Sequence, residues 1–424
     1  MIAVNCAGPQ IMGRHHNKIG NFFKTAGKKC SSRRYAFPRR SVGTRLSLYF
    51  FPRSHAPAWE RIPYLFHVAT TTTFGEVNKI VFIALFLFIM LWGGNASGRG
   101  HVTVLIYHKF GEAQYPTTNV SLANFARQMA YLRDNNYQVL PLAQMSQWLK
   151  STADLPDKAA VITIDDGYES VYSGAWPILR QYGYPFTVFL YTKAVEKKYR
   201  NFLTWEQIEE MRAAGVDFQD HSYSHYRMGT KPTGMNDAEY GSWVRDDIEK
   251  SRAILERHLG AFPEFLAPPY GEYNSIIIEQ VKELGYKAIF SQDPGSVSKD
   301  SGYILPREPI LGYDWGTIKH FKTVLERCDL PITDIEPDTR PFNGNAAKIC
   351  ATLQYPERYE PGTLNVYVSE LGWQRPEVDG KRICLANSKK LRRRTNRIAI
   401  SAREKDLDCQ AIRFWLLINP ANDF

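Results

Sequence analysis

From His101 to about Leu325, short apolar runs alternate with amphipathic stretches of helical period, and that alternation admits few folds. Val102–Tyr107 reads as a strand ending at His108, and Ser121 caps a helix with Leu122, Phe125, Met129 and Leu132 on one face. Strands follow at Val161 to Asp166 and Phe186 to Leu190. Thr204-Trp205-Glu206-Gln207 forms a capping box opening a helix that Gly215 closes. A longer helix carries Val244, Ile248, Leu255 and Leu259 to Gly260, and Phe265-Leu266-Ala267 leads into Pro268-Pro269-Tyr270-Gly271. Tyr286 to Phe290 and Ile304 to Ile310 supply the last strands. Runs apolar on both faces belong in a parallel sheet covered by helices. Seven or eight such βα units over roughly 220 residues predict an α/β barrel across residues 99–325, in the usual size range of that fold.

The grammar then changes. After a helix predicted from Trp315 to Leu325, strands at Leu364 to Val368, Ile383 to Ala386, Ile398 to Ala402 and Ala411 to Ile418 are separated by turn dipeptides such as Asn343-Gly344 and Asp379-Gly380. Residues 326–424 therefore read as an all-β accessory domain, a small sandwich. Within it, Lys389 to Arg394 holds five basic residues, expected to form a solvated face, with contact to an anionic polymer as the alternative.

The formal charge of +10 comes from one end. Residues 1–76 hold 12 Lys or Arg against two acids, Glu60 and Glu76, while the remainder is balanced, so no nucleic-acid partner is expected. Residues 77–98 carry Lys79, an apolar run from Ile80 to Trp92, and small residues at Gly94 and Ala96 before Ser97. This is the pattern of an export signal cleaved before Ser97. Membrane attachment through residues 80–94 is the alternative. Residues 1–76 lack periodicity and are expected to be absent from the mature protein, with a start near Val77. Cys328, Cys350, Cys384 and Cys409 cluster after residue 325 without Cys-x-x-Cys spacing. In an exported chain they imply two disulfides with three connectivities, of which the sequence-near pairs Cys328–Cys350 and Cys384–Cys409 are favoured.

The chemistry-bearing residues sit at strand ends. Asp165 and Asp166 close the run Val161-Ile162-Thr163-Ile164, and Gly167 turns the chain. Strand C-termini are where parallel α/β folds place their sites. Downstream, His221-Ser222-Tyr223-Ser224-His225 follows another predicted strand. Asp166, His221 and His225 together offer a carboxylate and two imidazoles, the ligand set of a catalytic metal with an open position. Both rings converge if the segment turns helically after Asp220.

These elements resemble the polysaccharide deacetylases of the NodB-homology type, carbohydrate esterase family 4. Thr163-Ile164-Asp165-Asp166-Gly167 and His221 to His225 match that family's first two motifs over a region of about residues 101–320. The resemblance implies a distorted (β/α) barrel, Asp165 as catalytic base, and Asp166, His221 and His225 as ligands of a divalent metal, zinc before cobalt, nickel or iron. Two departures stand out. Ala267-Pro268-Pro269-Tyr270-Gly271 lacks the arginine that usually opens the third motif and orients the base. The late Leu-x-Leu-His motif is also missing, with Leu305-Pro306-Arg307-Glu308-Pro309-Ile310 near its place. Both departures, with Leu105-Ile106-Tyr107-His108, resemble the exported branch acting on poly-N-acetylglucosamine, where a histidine matching His108 supplies the general acid.

The expected activity is hydrolytic removal of acetyl groups from an N-acetylated polysaccharide. Asp165 takes a proton from water, the Tyr270 backbone N–H meets the oxyanion, and His108 protonates the leaving amine. Trp205, Tyr223, Tyr270 and Trp315 offer faces for sugar stacking. The alternatives are a catalytically weak or inactive glycan-binding protein and a glycoside hydrolase, the latter needing two carboxyls on opposite sides of the bond.

Overall fold

The computed structural model describes residues 100–152, 156 and 158–419; the leader and the export-signal segment lie outside them. All described residues fall within one compact unit. Among them no helix is long and apolar enough to cross a membrane.

Eight strands run through the first half: β1 (Val102–Tyr107), β2 (Ala159–Asp166), β3 (Thr187–Leu190), β4 (Asp217–Asp220), β5 (Phe265–Leu266), β6 (Ala288–Phe290), β7 (Ile304–Leu305) and β8 (Glu308–Pro309). They hydrogen-bond in the order β7-β6-β5-β4-β3-β2-β1-β8, all parallel, and the short strand Gln138–Val139 pairs with β2 off this path. The sheet's two end strands are β7 and β8, yet only Pro306 and Arg307 separate them in sequence. Three Cα steps cover at most about 11 Å, so the sheet must curl until its edges meet. The result is the distorted (β/α) barrel. The predicted continuous strand from Ile304 to Ile310 is thus two strands, broken where Pro306 has no N–H to give and Arg307 turns inward.

Helices cover the outside as the periodicity requires. Leu122–Asp134 is capped by Ser121, whose Oγ accepts from the Asn124 N–H at 3.2 Å, and buries Phe125, Met129 and Leu132. Trp205–Ala213 opens with the predicted Thr204/Gln207 capping box. Asp237–Leu259 ends on Gly260 in the left-handed conformation. The predicted helix from Trp315 is shorter, because Tyr313–Gly316 forms a 3₁₀ turn and Thr317 caps a helix over Ile318–Leu325.

The C-terminal region is two antiparallel four-stranded sheets. One has the order β9-β10-β14-β13, from β9 (Ile332–Glu336), β10 (Lys348–Leu353), β13 (Glu377–Asp379) and β14 (Arg382–Ala386). The other runs β12-β11-β15-β16, from β11 (Asn365–Val368), β12 (Gly372–Gln374), β15 (Thr395–Arg403) and β16 (Gln410–Ile418). Ile349, Ala351, Val366, Val368, Ile398, Ile400, Trp415 and Leu417 share the core between them.

The disulfides correct the predicted pairing. Cys350 and Cys384 lie directly opposite each other on β10 and β14 and are bonded. Cys328 donates its N–H to the Gln410 carbonyl and bonds to Cys409 across 81 residues. Sequence proximity misled because strand pairing, antiparallel at Cys350–Cys384 and a parallel bridge from Cys328 to Ala411 near Cys409, brings the Cβ atoms together.

Candidate functional site

The organising strand is β2, whose eight residues are all buried. Its last residue, Asp166, has φ +73°, and Gly167 follows at φ +75°. Asp tolerates the left-handed region better than most side chains. A Cβ on Gly167 would meet Leu190 Cδ2 at 2.7 Å, so the turn demands glycine.

Asp166 Oδ1 stands 3.1 Å from His221 Nε2 and 3.0 Å from His225 Nε2. The ligand atoms of the three residues all lie within 4.8 Å of one another. Two donors bound to one tetrahedral ion at about 2.1 Å stand roughly 3.4 Å apart, so this spacing fits a shared cation. The tautomer agrees. His221 Nδ1 lies 2.6 Å from the Ala267 carbonyl, which accepts its proton and leaves Nε2 with a lone pair. That buried Nε2 has no hydrogen-bond partner and faces a carboxylate oxygen, an arrangement that calls for a cation or a proton between them. Burial opposes ionisation of Asp166, but His225 and His221 hold its carboxyl well below the usual range.

The histidines do not converge on a helix, as expected from their spacing. They sit in a loop with Ser222 at φ +70° and His225 at φ +57°. Two carboxylates pin it: buried Asp220 Oδ1 accepts from the Ser222 N–H at 2.8 Å, and half-buried Asp247 accepts from the N–H groups of Tyr223 and Ser224 at 3.2 and 3.1 Å. Ser222 Oγ accepts from the His225 N–H at 3.2 Å. Asp220 is itself held by Ser251 and Tyr286.

Asp165 has an arginine after all. Ala267 occupies the place where the resemblance puts one, but Arg307, at the seam between β7 and β8, reaches across the barrel instead. Its Nη1 and Nη2 donate to Asp165 Oδ1 and Oδ2 at 2.7 and 2.8 Å, and both side chains are fully buried. The guanidinium is fixed by bonds to the Ser291 carbonyl at 2.8 Å and Thr163 Oγ1 at 3.2 Å. Burial alone would raise the Asp165 carboxyl, but Arg307 and His221 together hold it below its ordinary value. The one sequence signal was a charged pair inside an apolar, proline-bracketed run. Gln292, missed entirely, donates to Asp165 Oδ2 at 3.4 Å.

His108 follows β1, whose Tyr107 is in register with Ile164 of β2, so it stands at the same rim as Asp165. Its Nδ1 is buried without a partner. Burial lowers the imidazole, while Asp166 and Asp165 pull it the other way.

Tyr270 has φ +61° in a tight turn whose own bonds are donated by Gly271 and Glu272. Its ring lies 5.1 Å from that of His225, and the Arg227 guanidinium covers it at 3.9 Å. A Cβ at Gly271 would meet the Gln292 backbone N at 2.6 Å, so glycine lets this loop touch the strand end beside Asp165. The other aromatic residues predicted to stack sugars are engaged elsewhere. Trp205 stacks on His258 at 3.8 Å, Lys250 covers Tyr223, and Trp315 neighbours His320.

Residues 152–289 match the family model for polysaccharide deacetylase. Over these residues the chain is similar to the polysaccharide deacetylases. It is 30% identical over 259 residues to the poly-beta-1,6-N-acetyl-D-glucosamine N-deacetylase of Escherichia coli strain K12, covering 52% of this chain and 38% of that one. The protein of that name from Staphylococcus aureus strain MRSA252 is 25% identical over 207 residues, 48% of this chain and 71% of that one. Among solved structures, IcaB from Ammonifex degensii covers 52% of this chain and 96% of its own, at 27% identity and a TM-score of 0.46. The chain thus spans little more than a third of the length of the Escherichia coli relative.

Proposed function

We propose that this protein is a metal-dependent hydrolase that removes acetyl groups from N-acetylated sugars of an extracellular or cell-wall polysaccharide, poly-N-acetylglucosamine first among them. The carrying observation is the adjacency of two differently held carboxylates: Asp165 forked by Arg307, and Asp166 shared by two imidazoles.

Asp166, His221 and His225 would hold the cation, zinc before cobalt, nickel or iron. When bound, such a cation supplies a Lewis acid and a water of lowered pKa. Asp165, kept ionised by Arg307, accepts the proton of the attacking water. The Tyr270 N–H stabilises the oxyanion on the acetyl carbonyl, a contribution of about 3–4 kcal/mol per donor. His108 gives the leaving amine its proton. A glycoside hydrolase fits poorly, because Asp165 and Asp166 are sequence neighbours already committed to Arg307 and the histidines. Export belongs to this reading, supported by the signal-like segment at 77–98 and the two disulfides.

The test is acetate release from poly-N-acetylglucosamine by the full chain, stripped with chelator and reloaded with zinc, cobalt, nickel or iron. Acetate release that disappears on stripping and returns on reloading is expected. Binding of polymer without acetate under any metal would establish the glycan-binding alternative, and new reducing ends without acetate would establish the glycosidase.

A further inference from the structure

The C-terminal β region meets the barrel at the rim that carries the site, and it does so through arginines. Lys389 to Arg394 was expected to be a solvated face, but Arg394 turns inward. Its Nη1 donates to Glu272 Oε2 at 3.1 Å and to Thr230 Oγ1 at 2.8 Å, while Nη2 pairs with Glu272 Oε1. Arg227 donates to the same Oε1 at 2.6 Å. Glu272 is only 2% exposed, so a buried carboxylate joins an arginine of the β region to one of the barrel.

The connection runs straight to the site. Arg227 covers the Tyr270 ring, which packs on the His225 ring. Three residues beyond Arg394, within β15, Arg397 Nε donates to Asp293 Oδ1 at 2.9 Å. Asp293 is 3% exposed, follows Gln292, accepts from the Arg307 N–H on its carbonyl at 3.0 Å, and takes the Tyr273 hydroxyl at 3.3 Å. One arginine thus bears on the loop packed against the metal ligands, and the other on the segment that holds the base.

Packing around these pairs is built for the contact. A Cβ at Gly229 would meet Ile418 Cδ1 at 2.4 Å and Glu272 Oε2 at 3.0 Å. Tyr273, Leu416 and Ile418 form a common apolar cluster, and the Asn419 N–H donates to the Arg394 carbonyl at 2.7 Å.

We propose that Arg394 and Arg397 are positioning residues for deacetylation, and that the β region completes the catalytic centre by bracing its two halves from a single strand end. The proposal rests on the deacetylase reading for its kinetic arm alone. The Arg394–Glu272 pair is bidentate, which fixes geometry as well as charge, and Arg397 adds a single charge-assisted bond to the buried Asp293. A displacement of about 1 Å at a catalytic group costs up to about 10²-fold in rate.

The experiment compares the full chain with Arg394→Met, Arg397→Met and Arg394→Lys, each loaded with cobalt. Arg413→Met serves as the control, since Arg413 crosses the same interface but donates to the Ser301 and Ile304 carbonyls rather than to Glu272 or Asp293. Turnover per folded, metal-loaded molecule should fall about 10- to 100-fold in both methionine variants, with KM nearly unchanged, and Arg394→Lys should recover part of the loss. The visible spectrum of bound cobalt should shift in Arg394→Met, reporting on His225. Arg413→Met should lower thermal stability while keeping turnover and spectrum. If the wild type releases no acetate yet the spectrum still shifts, the activity reading fails and the brace stands. Wild-type turnover and spectrum in folded Arg394→Met and Arg397→Met would overturn the brace, as would an equal loss in Arg413→Met.

Discussion

Arg307 grips Asp165 through two parallel hydrogen bonds of 2.7 and 2.8 Å, with neither side chain exposed to solvent. A buried carboxylate without that partner would favour its protonated form, and a protonated Asp165 cannot act as a base.

Removing the arginine should therefore move the acid limb of the rate profile. The Asp165 carboxyl is depressed in the native protein, so the base is lost only as pH falls through that low value. In Arg307→Met only His221 and His108 are left to oppose burial, and the limb should move to higher pH by about one to three units. Arg307→Lys, which keeps charge but not the fork, should move it less. An unchanged acid limb in folded Arg307→Met would show that Asp165 is not the titrating base.

The two carboxylates should separate in their effects. Asp165→Asn should keep metal while losing about 10²–10⁴-fold in turnover, the usual range for a positioned base. His225→Ala should lose metal affinity together with activity. Metal analysis of the purified variants checks this, and metal loss in Asp165→Asn with retention in Asp166→Asn would reverse the assignment.

His108 is testable through its leaving group. His108→Ala should slow deacetylation of the amide by about 10²–10⁴-fold with metal occupancy unchanged. An aryl acetate leaves without needing a proton, so its cleavage should suffer far less. Equal losses on both substrates would assign His108 a binding or structural role.

The histidine loop depends on Asp247, which accepts two of its backbone N–H groups. Asp247→Ala should weaken metal binding by about 10–100-fold, the cost typical of losing an outer support of a ligand. Competition titration with a chromophoric chelator measures it; wild-type affinity would mean the loop holds its shape without that anchor.

Non-reducing peptide mapping should recover Cys328 linked to Cys409 and Cys350 linked to Cys384. Replacing Cys328 and Cys409 together by serine should cost about 2–5 kcal/mol in unfolding free energy. Recovery of a Cys328–Cys350 peptide would contradict the strand pairing of β10 with β14.

What could be read in the sequence was whatever short-range chemistry encodes. The capping box at Thr204 and Gln207, the Gly260 stop and the apolar strands each carry their instruction within a few residues. Asp165, Asp166, His221 and His225 were visible because each motif is local and begins at a strand end. Arg307 was not, since its partner lies 142 residues earlier and only curling of the sheet joins them. The same holds for Arg394 and Arg397, whose carboxylates are 122 and 104 residues away. The helical turn expected between His221 and His225 failed for a different reason: spacing of four suits a helix, but here left-handed residues and the carboxylates of Asp220 and Asp247 shape the loop. Cysteine pairing followed strand register, which spacing does not reveal.

The seam at Pro306 and Arg307 has a consequence for how the protein fails. Edge strands of two residues each, β7 and β8, are held by few ladder bonds, and the expected outcome is that they open before the core around β2 does. Because Arg307 sits in that seam, its release takes the guanidinium away from Asp165 while the helices are still packed. On heating, activity should vanish several degrees before circular dichroism records any loss of helix, and cooling from that interval should restore it in full.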